Sequence, residues 1–455
     1  MQKALPILYS NYGRYISRFR SIPFYIDCLK PVERRLLLTL YQNAKNGFVT
    51  SAKIVGTCIA NYHPHGDIST YGALVSLVHN NLAIGQGNWG SPGLNDAPPA
   101  AYRYTEIKFK PELEFIMDLL DYVPWEELEL EKEPLYLPSP IPVGLIGSDL
   151  ITGLAFHTTS IPRYKKEDLI LRLKWLLENN KKKEKEFGPI IIPNSSNCLV
   201  EEESNKSFYN ILKNGNGNII YIPKGELLEK EKEIKILGRA PNSSFNKLIN
   251  HIDSGKINAT ILDFSKSDID ILIKPKKKSS IDLQEFAENL WKKYLNKKIK
   301  ISIHVCDHAG NVFLVGIDEL LLNAYQGWSY ALTQKLIAEF HKLNERKIEN
   351  IILSKLRSLI ETNKIRKIED IIQNFKSKKL DLVEIERYDE ENKCFVKQNT
   401  QISKELIQKI YKNKSISQLI EIENVLDIDE EIKSVKNNIC HIEEFCYKKL
   451  LSLFK

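Results

Sequence analysis

The chain has 455 residues, 43% hydrophobic and 27% charged, with a formal net charge of +7, which excludes a single small binding module and a disordered scaffold. No uncharged apolar stretch approaches the ~18 residues of a membrane span, and the N-terminus lacks the long apolar region of a secretory signal. Seven scattered cysteines without a CxxC pair argue against a disulfide framework, so we expect reduced thiols in a cytoplasmic protein.

Charge is distributed unevenly along the chain. Residues 1–110 hold 12 basic and 5 acidic side chains, whereas residues 111–134 hold 1 lysine and 9 acidic side chains. A polyanion is attracted to the surface that carries excess positive charge. We therefore expect any polyanionic partner to meet the first of these segments.

Three short helices are predicted near the N-terminus. Leucine spacing predicts a helix over 31–44, and a second helical stretch over 51–62 runs into the breaker His-Pro-His-Gly at 63–66. Asp67 stands where an N-cap belongs, ahead of a third helical stretch through Val78. Three such helices in series indicate a unit of the helix-turn-helix type.

The pattern of residue types along the sequence changes twice further on. From residue 137, short β-branched runs separated by Gly, Asn and Lys predict an α/β region ending near residue 317. From Asp318 the pattern is helical for some 45 residues, and shorter helical patterns such as 367–375 follow. A heptad seam near the end predicts a second long helix that pairs antiparallel with the first, through Ile428, Ile432, Val435, Ile439, Ile442 and Cys446.

Four short strings stand out together, although each alone is a weak signal. They are Asp27-Cys-Leu-Lys-Pro-Val-Glu-Arg-Arg35, Tyr62-His-Pro-His-Gly-Asp67, Gly85-Gln-Gly-Asn-Trp-Gly-Ser91 and Ala100-Ala-Tyr-Arg-Tyr-Thr-Glu106. In this order and spacing they resemble the A subunits of bacterial type IIA DNA topoisomerases, namely gyrase and topoisomerase IV. The strings at 133–138 and 153–162 add to the resemblance, and Trp89 favours topoisomerase IV.

The resemblance implies an α+β multidomain fold with three parts. Residues 1–135 would form a winged-helix breakage-reunion domain, and residues 136–317 an α/β tower domain. Residues 318–455 would form a long antiparallel coiled-coil hairpin with a small helical C-gate that joins two copies of the chain.

The resemblance also implies a nucleophile. Tyr104 would attack a DNA phosphodiester and remain joined to the 5′ phosphate, while Arg103 stabilises the anionic pentacoordinate phosphorus. A phenol has a pKa of about 10, so its ionisation near neutral pH requires adjacent cations. Tyr102 is the rival nucleophile, and Tyr104 is favoured because it follows the arginine and precedes Thr-Glu, as in the family.

Seven further residues are carried over from the family as DNA contacts. They are Arg20, Lys30, Arg34, Arg35, His63, His65 and Ile161. The basic residues would hold phosphates, either histidine would donate to phosphate or shuttle a proton, and the isoleucine would wedge between base steps. Solvated helix charges, structural turn histidines and an ordinary buried isoleucine are the alternatives.

The expected assembly is an enzyme with two kinds of subunit. The sequence has no P-loop string and no convincing metal site of its own. The resemblance therefore implies that Mg²⁺ and ATP bind a partner B subunit in an A2B2 heterotetramer built on a homodimer of this chain. Transient double-strand breaks in DNA would then serve ATP-dependent strand passage.

The end of the sequence at Lys455 leaves no room for the family's DNA-wrapping β-pinwheel, so we expect relaxation and decatenation without negative supercoiling. The alternatives are a gyrase A subunit without its wrapping domain and a non-catalytic DNA-bridging dimer of the same fold. Glu33 and Cys28, which depart from the family pattern, motivate the last of these. Glu33 would repel phosphate unless an arginine neutralises it.

Two positions bear on drug binding. Ile68 and Gly72 stand where the family often has a serine or threonine and an acid that anchor quinolones through a metal-water bridge. Neither side chain can make those bonds. We therefore expect weak trapping of cleaved DNA by quinolones.

Overall fold

A computed structural model describes residues 4–127, 132–148, 150–155, 157–179, 187–195, 197–204, 206–276, 282–363, 382–401 and 425–453. The chain divides into two compact units, one ending at Trp328 and the other beginning at Ser329. The domain boundary predicted before residue 318 lies upstream of this division and stays a prediction. The division predicted after residue 135 lies inside the first unit and stays a prediction.

Helices and strands are mixed along the first unit, in agreement with the predicted α+β class. Its helices are α1 (Ala4–Ile16), α2 (Pro31–Ala44), α3 (Ser51–Asn61), α4 (Asp67–His79), α5 (Glu114–Met117), α6 (Lys166–Asn179), α7 (Ser207–Asn214), α8 (Asn246–Asp253), α9 (Leu283–Leu290) and the start of α10 (Ile317–Asn363). Its strands are β1 (Val49–Thr50), β2 (Ala83–Gln86), β3 (Glu106–Phe109), β4 (Trp125–Glu127), β5 (Lys132–Pro134), β6 (Leu150–Leu154), β7 (Thr158–Pro162), β8 (Cys198–Glu202), β9 (Asn216–Pro223), β10 (Gly225–Leu228), β11 (Glu233–Ile236), β12 (Ala259–Asp263), β13 (Ile271–Pro275), β14 (Lys297–Ser302), β15 (His304–Cys306) and β16 (Val312–Leu314).

The three predicted N-terminal helices are confirmed as α2, α3 and α4. Helix α2 begins at Pro31, whose fixed φ suits the first turn, and Glu33 in that turn accepts the backbone N–H of Lys30 at 2.8 Å. The predicted N-cap is wrong by one residue, because Gly66 is the cap and Asp67 is the first helical residue. The carboxylate of Asp67 instead faces the loop before β3.

A small antiparallel sheet follows these helices, in the strand order β1-β3-β2. Its central strand pairs Ile107 with both Val49 and Gly85, and Ile107 and Phe109 are buried. The loop before β3 and the glycine-rich loop after β2 are thereby fixed at the same end of the sheet.

Two larger antiparallel sheets complete the first unit. One has the strand order β6-β7-β14-β9-β8, and one of its faces buries Ile151, Ile161, Ile301 and Ile219. The other has the order β10-β11-β13-β12. Its apolar face packs on α8 and α9 around buried residues that include Ile234, Ile236, Leu248, Ile271, Ile273 and Leu290.

The second unit contains α10 from Ser329 onward, β17 (Leu382–Asp389), β18 (Cys394–Gln401), α11 (Val425–Cys440) and α12 (Ile442–Leu453). The predicted seam is buried against α10: Ile428, Ile432, Val435 and Ile439 pack on Leu336, Ile337, Phe340 and Leu343. The expected single long helix is wrong, because a turn at His441 separates α11 from α12. The predicted helical stretch 367–375 lies outside the described residues.

Candidate active site

Tyr104 lies in a tight turn immediately before β3. Its backbone N–H donates to the carbonyl of Ala101 at 2.8 Å, and its side chain is 67% exposed. The guanidinium carbon of Arg103 lies 4.7 Å from the centroid of the Tyr104 ring. An exposed phenol and an always-charged guanidinium are thus side by side, as phosphoryl-transfer chemistry by a tyrosine requires.

The backbone of this turn is anchored from both sides. Thr105 is fully buried, and its hydroxyl donates to Ser51 Oγ at 2.8 Å and lies 3.0 Å from the hydroxyl of Tyr71. The backbone N–H of Ser51 donates to the Thr105 carbonyl, and that of Ala52 donates to the Tyr102 carbonyl. The first turn of α3 and the side of α4 therefore fix the backbone that carries Tyr104.

The hydroxyl of Tyr102 is held by a hydrogen bond, whereas the side chain of Tyr104 is exposed. The Tyr102 hydroxyl donates to Asp67 Oδ2 at 3.0 Å, and its ring packs edge-on against Tyr71. The hydrogen bond to Asp67, with the negative charge of that carboxylate, raises the pKa of Tyr102. A phenol held in its protonated form is a poor nucleophile, so the geometry favours Tyr104 over its rival.

The glycine-rich loop packs directly on this turn. Gly87 has φ +100°, and a Cβ there would lie 3.2 Å from the backbone oxygen of Tyr104. A Cβ at Gly85 would lie 2.5 Å from Nε1 of Trp89, whose indole N–H donates to the Gln86 carbonyl. Glycine is favoured at position 87 by its positive φ, and at position 85 because the neighbouring indole approaches more closely than a side chain allows.

Arg34 and Arg35 were predicted to bind DNA phosphates, and the structure buries both guanidinium groups in ion pairs. Their contact with DNA stays a prediction. Arg34 donates to both carboxylate oxygens of Asp27, at 2.7 and 3.0 Å. Arg35 donates to both oxygens of Glu133, at 2.6 and 3.1 Å. Such bidentate pairs use the fork geometry of arginine and keep both groups turned away from a phosphate.

Asp27 and Glu133 are residues whose role the sequence did not reveal. Asp27 also accepts the backbone N–H groups of Leu29 and Leu137, so its buried carboxylate is fully hydrogen-bonded. Both acids stand inside the strings that carry the resemblance. Their place in those strings was the available signal, but only the fold brings Glu133 to Arg35.

The two departures from the family pattern are accommodated locally. Glu33 is buried, and Arg163 Nη2 lies 3.6 Å from its carboxylate, which supplies the neutralising arginine that this position needs. Cys28 takes φ +56°, a conformation that glycine adopts without strain. Burial raises the pKa of the Cys28 thiol, so it is an unreactive packing residue.

The two histidines of the His-Pro-His turn differ in their surroundings. His63 is buried, and its Nδ1 accepts from Arg35 Nη1 at 2.9 Å. Burial, then the charges of Arg35, His65 and Arg20, lower the pKa of His63 to about 3. A neutral, enclosed ring near pH 7 does not favour phosphate binding or proton shuttling by His63, and that role stays a prediction.

His65, Lys30 and Arg20 remain accessible. Nδ1 of His65 donates to the Pro64 carbonyl, which leaves Nε2 available, and Lys30 is half-buried. Arg20 is exposed in the π-helical turn Ser17–Ser21. These residues stay as predicted DNA contacts.

Comparison with known proteins now identifies the family. The model of the A subunit of DNA gyrase/topoisomerase IV matches residues 20–451. The chain belongs to this family. It is 37% identical to the DNA gyrase A subunit of Streptomyces coelicolor over 186 residues, which are 38% of this chain and 21% of that protein.

Other relatives give the same picture. The gyrase A subunit of Clostridium acetobutylicum is 36% identical over 186 residues, covering 38% of this chain and 22% of that protein. That of Helicobacter pylori is 37% identical over 186 residues, with the same coverage. The matched part thus spans about a fifth of the length of these curated relatives.

The resemblance assigns the DNA wedge of an A subunit to Ile161. In the structure this side chain is fully buried in β7, opposite Ile151 of β6, and its insertion into DNA stays a prediction. Among the described residues of the same hairpin, Leu154 is an exposed apolar side chain, at 72%. The alternation of a strand explains the outcome, because residues 151 and 161 face the core while residue 154 faces outward.

Neither a metal cluster nor a membrane-spanning helix occurs in the described part of this A subunit. It contains no group of three His, Cys, Asp or Glu side chains arranged to hold a metal ion. Among the same residues, no helix combines the length and apolar character required to cross a membrane.

Proposed function

We propose that this chain is the DNA cleavage and religation subunit of a type IIA topoisomerase. The observation that carries the proposal is the pairing of an exposed Tyr104 with Arg103 on a backbone fixed by buried hydrogen bonds. The tyrosine hydroxyl gives up its proton as its oxygen attacks a backbone phosphorus, the bond to the 3′ oxygen breaks, and that oxygen takes up a proton and leaves as a 3′ hydroxyl. One ester replaces another, so the reverse attack reseals the strand without an outside energy source.

The chain's own residues support the reaction by position and charge. Arg103 can place two N–H groups on the non-bridging oxygens as negative charge develops on them. The glycine-rich loop and the α3 turn hold the nucleophile's backbone in place, which favours reaction by orientation. Arg20, Lys30 and His65 hold the flanking phosphates.

The remaining parts follow the family. Helices α2 to α4 with the β1-β3-β2 sheet act as a winged-helix unit, and the two larger sheets form the tower. Two copies of the chain present one Tyr104 to each strand, with the helices of the second unit as the C-gate. A B-type subunit binds Mg²⁺ and ATP in the A2B2 enzyme.

Strand passage by the assembled enzyme has two alternative products, relaxed and decatenated DNA or negatively supercoiled DNA. Trp89 in the glycine-rich loop, which resembles topoisomerase IV, supports relaxation and decatenation as the activity of the assembled enzyme. The named relatives are gyrase A subunits, which supports negative supercoiling. Incubating the reconstituted enzyme with relaxed plasmid and ATP decides between them, since only the second produces supercoiled product.

The cleavage proposal is tested by trapping the covalent intermediate. The chain is combined with a B subunit shown to assemble with it, Mg²⁺ and end-labelled DNA, and the reaction is stopped with detergent. We expect a protein–DNA adduct on the 5′ phosphate with the wild type and with Tyr102→Phe, and none with Tyr104→Phe. An adduct that persists in Tyr104→Phe would reassign the nucleophile. The absence of any adduct would favour the non-catalytic DNA-bridging dimer.

A further inference from the structure

The loop of residues 91–97 connects the glycine-rich loop to the turn that carries the candidate nucleophile. It is closed at its base, because the backbone N–H groups of Ser91 and Ala97 each donate to the other's carbonyl, at 3.1 and 3.0 Å. Directly beyond this base, the backbone N–H of Ala100 donates to the carbonyl of Asn88 at 3.0 Å. The 91–97 loop is therefore joined by hydrogen bonds to both segments of the candidate active site.

The tip of the 91–97 loop lies against the four-stranded sheet. The backbone N–H of Leu94 donates to Oδ2 of Asp263 at 2.9 Å, and Asp263 is the last residue of the edge strand β12. The side chain of Leu94 packs on the apolar cluster between this sheet and helices α8 and α9. One polar and one apolar contact thus attach the tip of the loop to the sheet.

This close approach depends on Gly93. The residue is buried, and a Cβ there would lie 2.9 Å from Oδ2 of Asp263, so a side chain would displace the carboxylate. The other oxygen, Oδ1, accepts the backbone N–H of Ser265 at 3.0 Å. Burial alone would raise the pKa of Asp263, but hydrogen bonds from Ser265 and Leu94 outweigh it and lower the pKa. The acceptor at the tip of the loop is therefore a charged carboxylate, which makes the stronger kind of hydrogen bond.

A second attachment is the ion pair between Asp96 and Arg239. Nη1 of Arg239 donates to Oδ1 of Asp96 at 2.8 Å, and the same oxygen accepts the backbone N–H of Gly93 at 3.3 Å. Arg239 follows β11, and its guanidinium carbon lies 5.9 Å from the centroid of the ring of Phe245, which is buried in the core of the sheet. Asp263 and Arg239 thus hold two points of one loop from beyond or at the ends of two strands.

These contacts act on position more than on global stability. Asp96 and Asp263 are exposed, and an exposed ion pair contributes little to the free energy of unfolding. The rate of a reaction is more sensitive, because a displacement of about 1 Å caused far from the reacting atoms can reduce it by a large factor. Ala100, just past the loop, is only four residues before Tyr104.

We infer that Asp263 and Arg239 are positioning residues for DNA cleavage, which they affect by holding the 91–97 loop and, through it, the turn of Tyr104. The inference rests on the proposed function for the reaction itself. It adds that the four-stranded sheet, which supplies no reacting group, helps to set the geometry of attack. Loss of either attachment should slow cleavage without weakening the binding of DNA.

The test separates the rate of cleavage from the affinity for DNA. The full chain is combined with a B subunit shown to assemble with it, Mg²⁺ and a saturating end-labelled duplex, and adduct formation is followed over a single turnover. We expect Asp263→Ala to slow adduct formation about tenfold, with an affinity for the duplex within about twofold of the wild type. Gly93→Ala, which displaces the same carboxylate, should slow it similarly. Wild-type rates in both variants would overturn the inference.

Two further variants of the sheet serve as controls. Asp263→Asn loses the charge but keeps an acceptor for the Leu94 N–H, so it should recover most of the wild-type rate. Asp268→Ala removes an exposed acid from the turn between β12 and β13, where its carboxylate accepts from Ser267, and should leave the rate unchanged. An equal loss of rate in Asp268→Ala would overturn the inference by showing a general effect of charge.

The second attachment is tested in the same assay. Arg239→Gln removes the ion pair with Asp96 and should slow adduct formation several-fold. A wild-type rate in this variant would overturn the role of Arg239.

Hydrogen exchange measures the attachment in the chain without its partners. Peptides that span residues 91–105 should exchange faster in Asp263→Ala than in the wild type or Asp268→Ala, while the melting temperature stays the same. This local change in exchange, together with a slower reaction at unchanged affinity, is not expected of a residue that only stabilises the fold.

Failure of this inference is distinguishable from failure of the proposed function. A wild-type adduct that forms equally fast in Asp263→Ala and Gly93→Ala overturns the positioning role alone. No adduct in any of the proteins overturns the proposed function, while faster exchange over 91–105 in Asp263→Ala still supports the attachment of the loop to the sheet. No adduct together with unchanged exchange overturns both.

Discussion

The hydroxyl of Tyr102 donates a 3.0 Å hydrogen bond to Asp67 at the start of α4, two residues from an unrestrained Tyr104. This bond links the nucleophile's turn to the helix beside it. We predict that Tyr102→Phe keeps adduct formation but slightly lowers the free energy of unfolding, because the hydrogen bond to Asp67 is lost. Urea denaturation measures the loss, and Asp67→Asn, which retains an acceptor, is the matched control. Abolition of the adduct by Tyr102→Phe would assign chemistry to this residue.

We predict that substitutions of Arg34 and Arg20 affect different properties, namely stability and DNA binding. Removing the Arg34 guanidinium leaves the buried Asp27 carboxylate without its partner, so Arg34→Gln should lower the free energy of unfolding by about 3 kcal/mol. Arg20→Gln, at an exposed position, should change stability little and weaken DNA binding. Thermal melts and anisotropy on both variants separate the two effects. A stable Arg34→Gln with weakened DNA binding would restore the phosphate role.

His63 predicts a specific dependence of stability on pH. Its pKa is about 3 in the folded chain, chiefly because burial disfavours the cation, against about 6.5 when unfolded. Folding favours the neutral ring, so the stability that His63 contributes is complete above pH 6.5. It is lost as the pH falls toward 3, and the free energy of unfolding should be about 2 kcal/mol lower by pH 5.

The variant His63→Gln isolates that contribution. Its free energy of unfolding should fall less than that of the wild type between about pH 7.5 and about pH 5, by roughly 2 kcal/mol. Denaturant titrations at both pH values measure the difference. Parallel losses in the two proteins would show that His63 is not held neutral.

The exposed face of α4 predicts the response to quinolones. Ile68 is 82% exposed in the first turn, and a Cβ at Gly72 would meet nothing within 4 Å. Ile68→Ser with Gly72→Glu therefore fits sterically and supplies the missing hydroxyl and carboxylate. We predict that the double variant needs about tenfold less drug to trap cleaved DNA.

Drug-stimulated cleavage by the reconstituted enzyme measures this effect. Ile68→Ser with Gly72→Gln is the control, because it offers the same bulk without the charge. Equal stimulation of the wild type and the Ser/Glu variant would refute the prediction.

The β6–β7 hairpin predicts opposite results for its two apolar residues. Ile161→Ala removes a buried side chain and should cost about 2–4 kcal/mol of stability. Leu154→Ala removes an exposed one and should leave stability within about 0.5 kcal/mol. If Leu154 meets the duplex, its loss reduces DNA bending, measured by energy transfer between labelled ends. Unchanged bending in Leu154→Ala would show that the hairpin inserts nothing.

The elements that the sequence predicted were those with strong local signals. Leucine spacing and Pro31 placed α2, and the long apolar stripe after Asp318 placed α10. The β17–β18 hairpin was missed because only Val383 and Ile385 are buried among its described residues. Such a short alternation of apolar and polar residues is hard to recognise among the charged residues around it.

The sequence indicated the neighbouring residues of the turn but not the ion pairs beneath it. The Arg103–Tyr104 pair lies in one short string, so its proximity follows from the chain. Arg35 has the same charge as a DNA-binding arginine, but its partner Glu133 is 98 positions away. Charge and spacing along the sequence cannot reveal a contact that only folding creates.

The fully buried Thr105 beside the exposed Tyr104 has a consequence for resealing. With the backbone fixed, the tyrosine oxygen moves only by rotation about the Cα–Cβ bond, because it lies on the axis of the Cβ–Cγ bond. In the proposed cleavage reaction, the phosphate joined to it would turn only about that bond, the Cβ–Cγ bond and the two bonds of the ester oxygen. If the proposed cleavage occurs, the hydrogen bonds of Thr105 keep the broken end near its 3′ hydroxyl, and they thereby contribute to accurate rejoining.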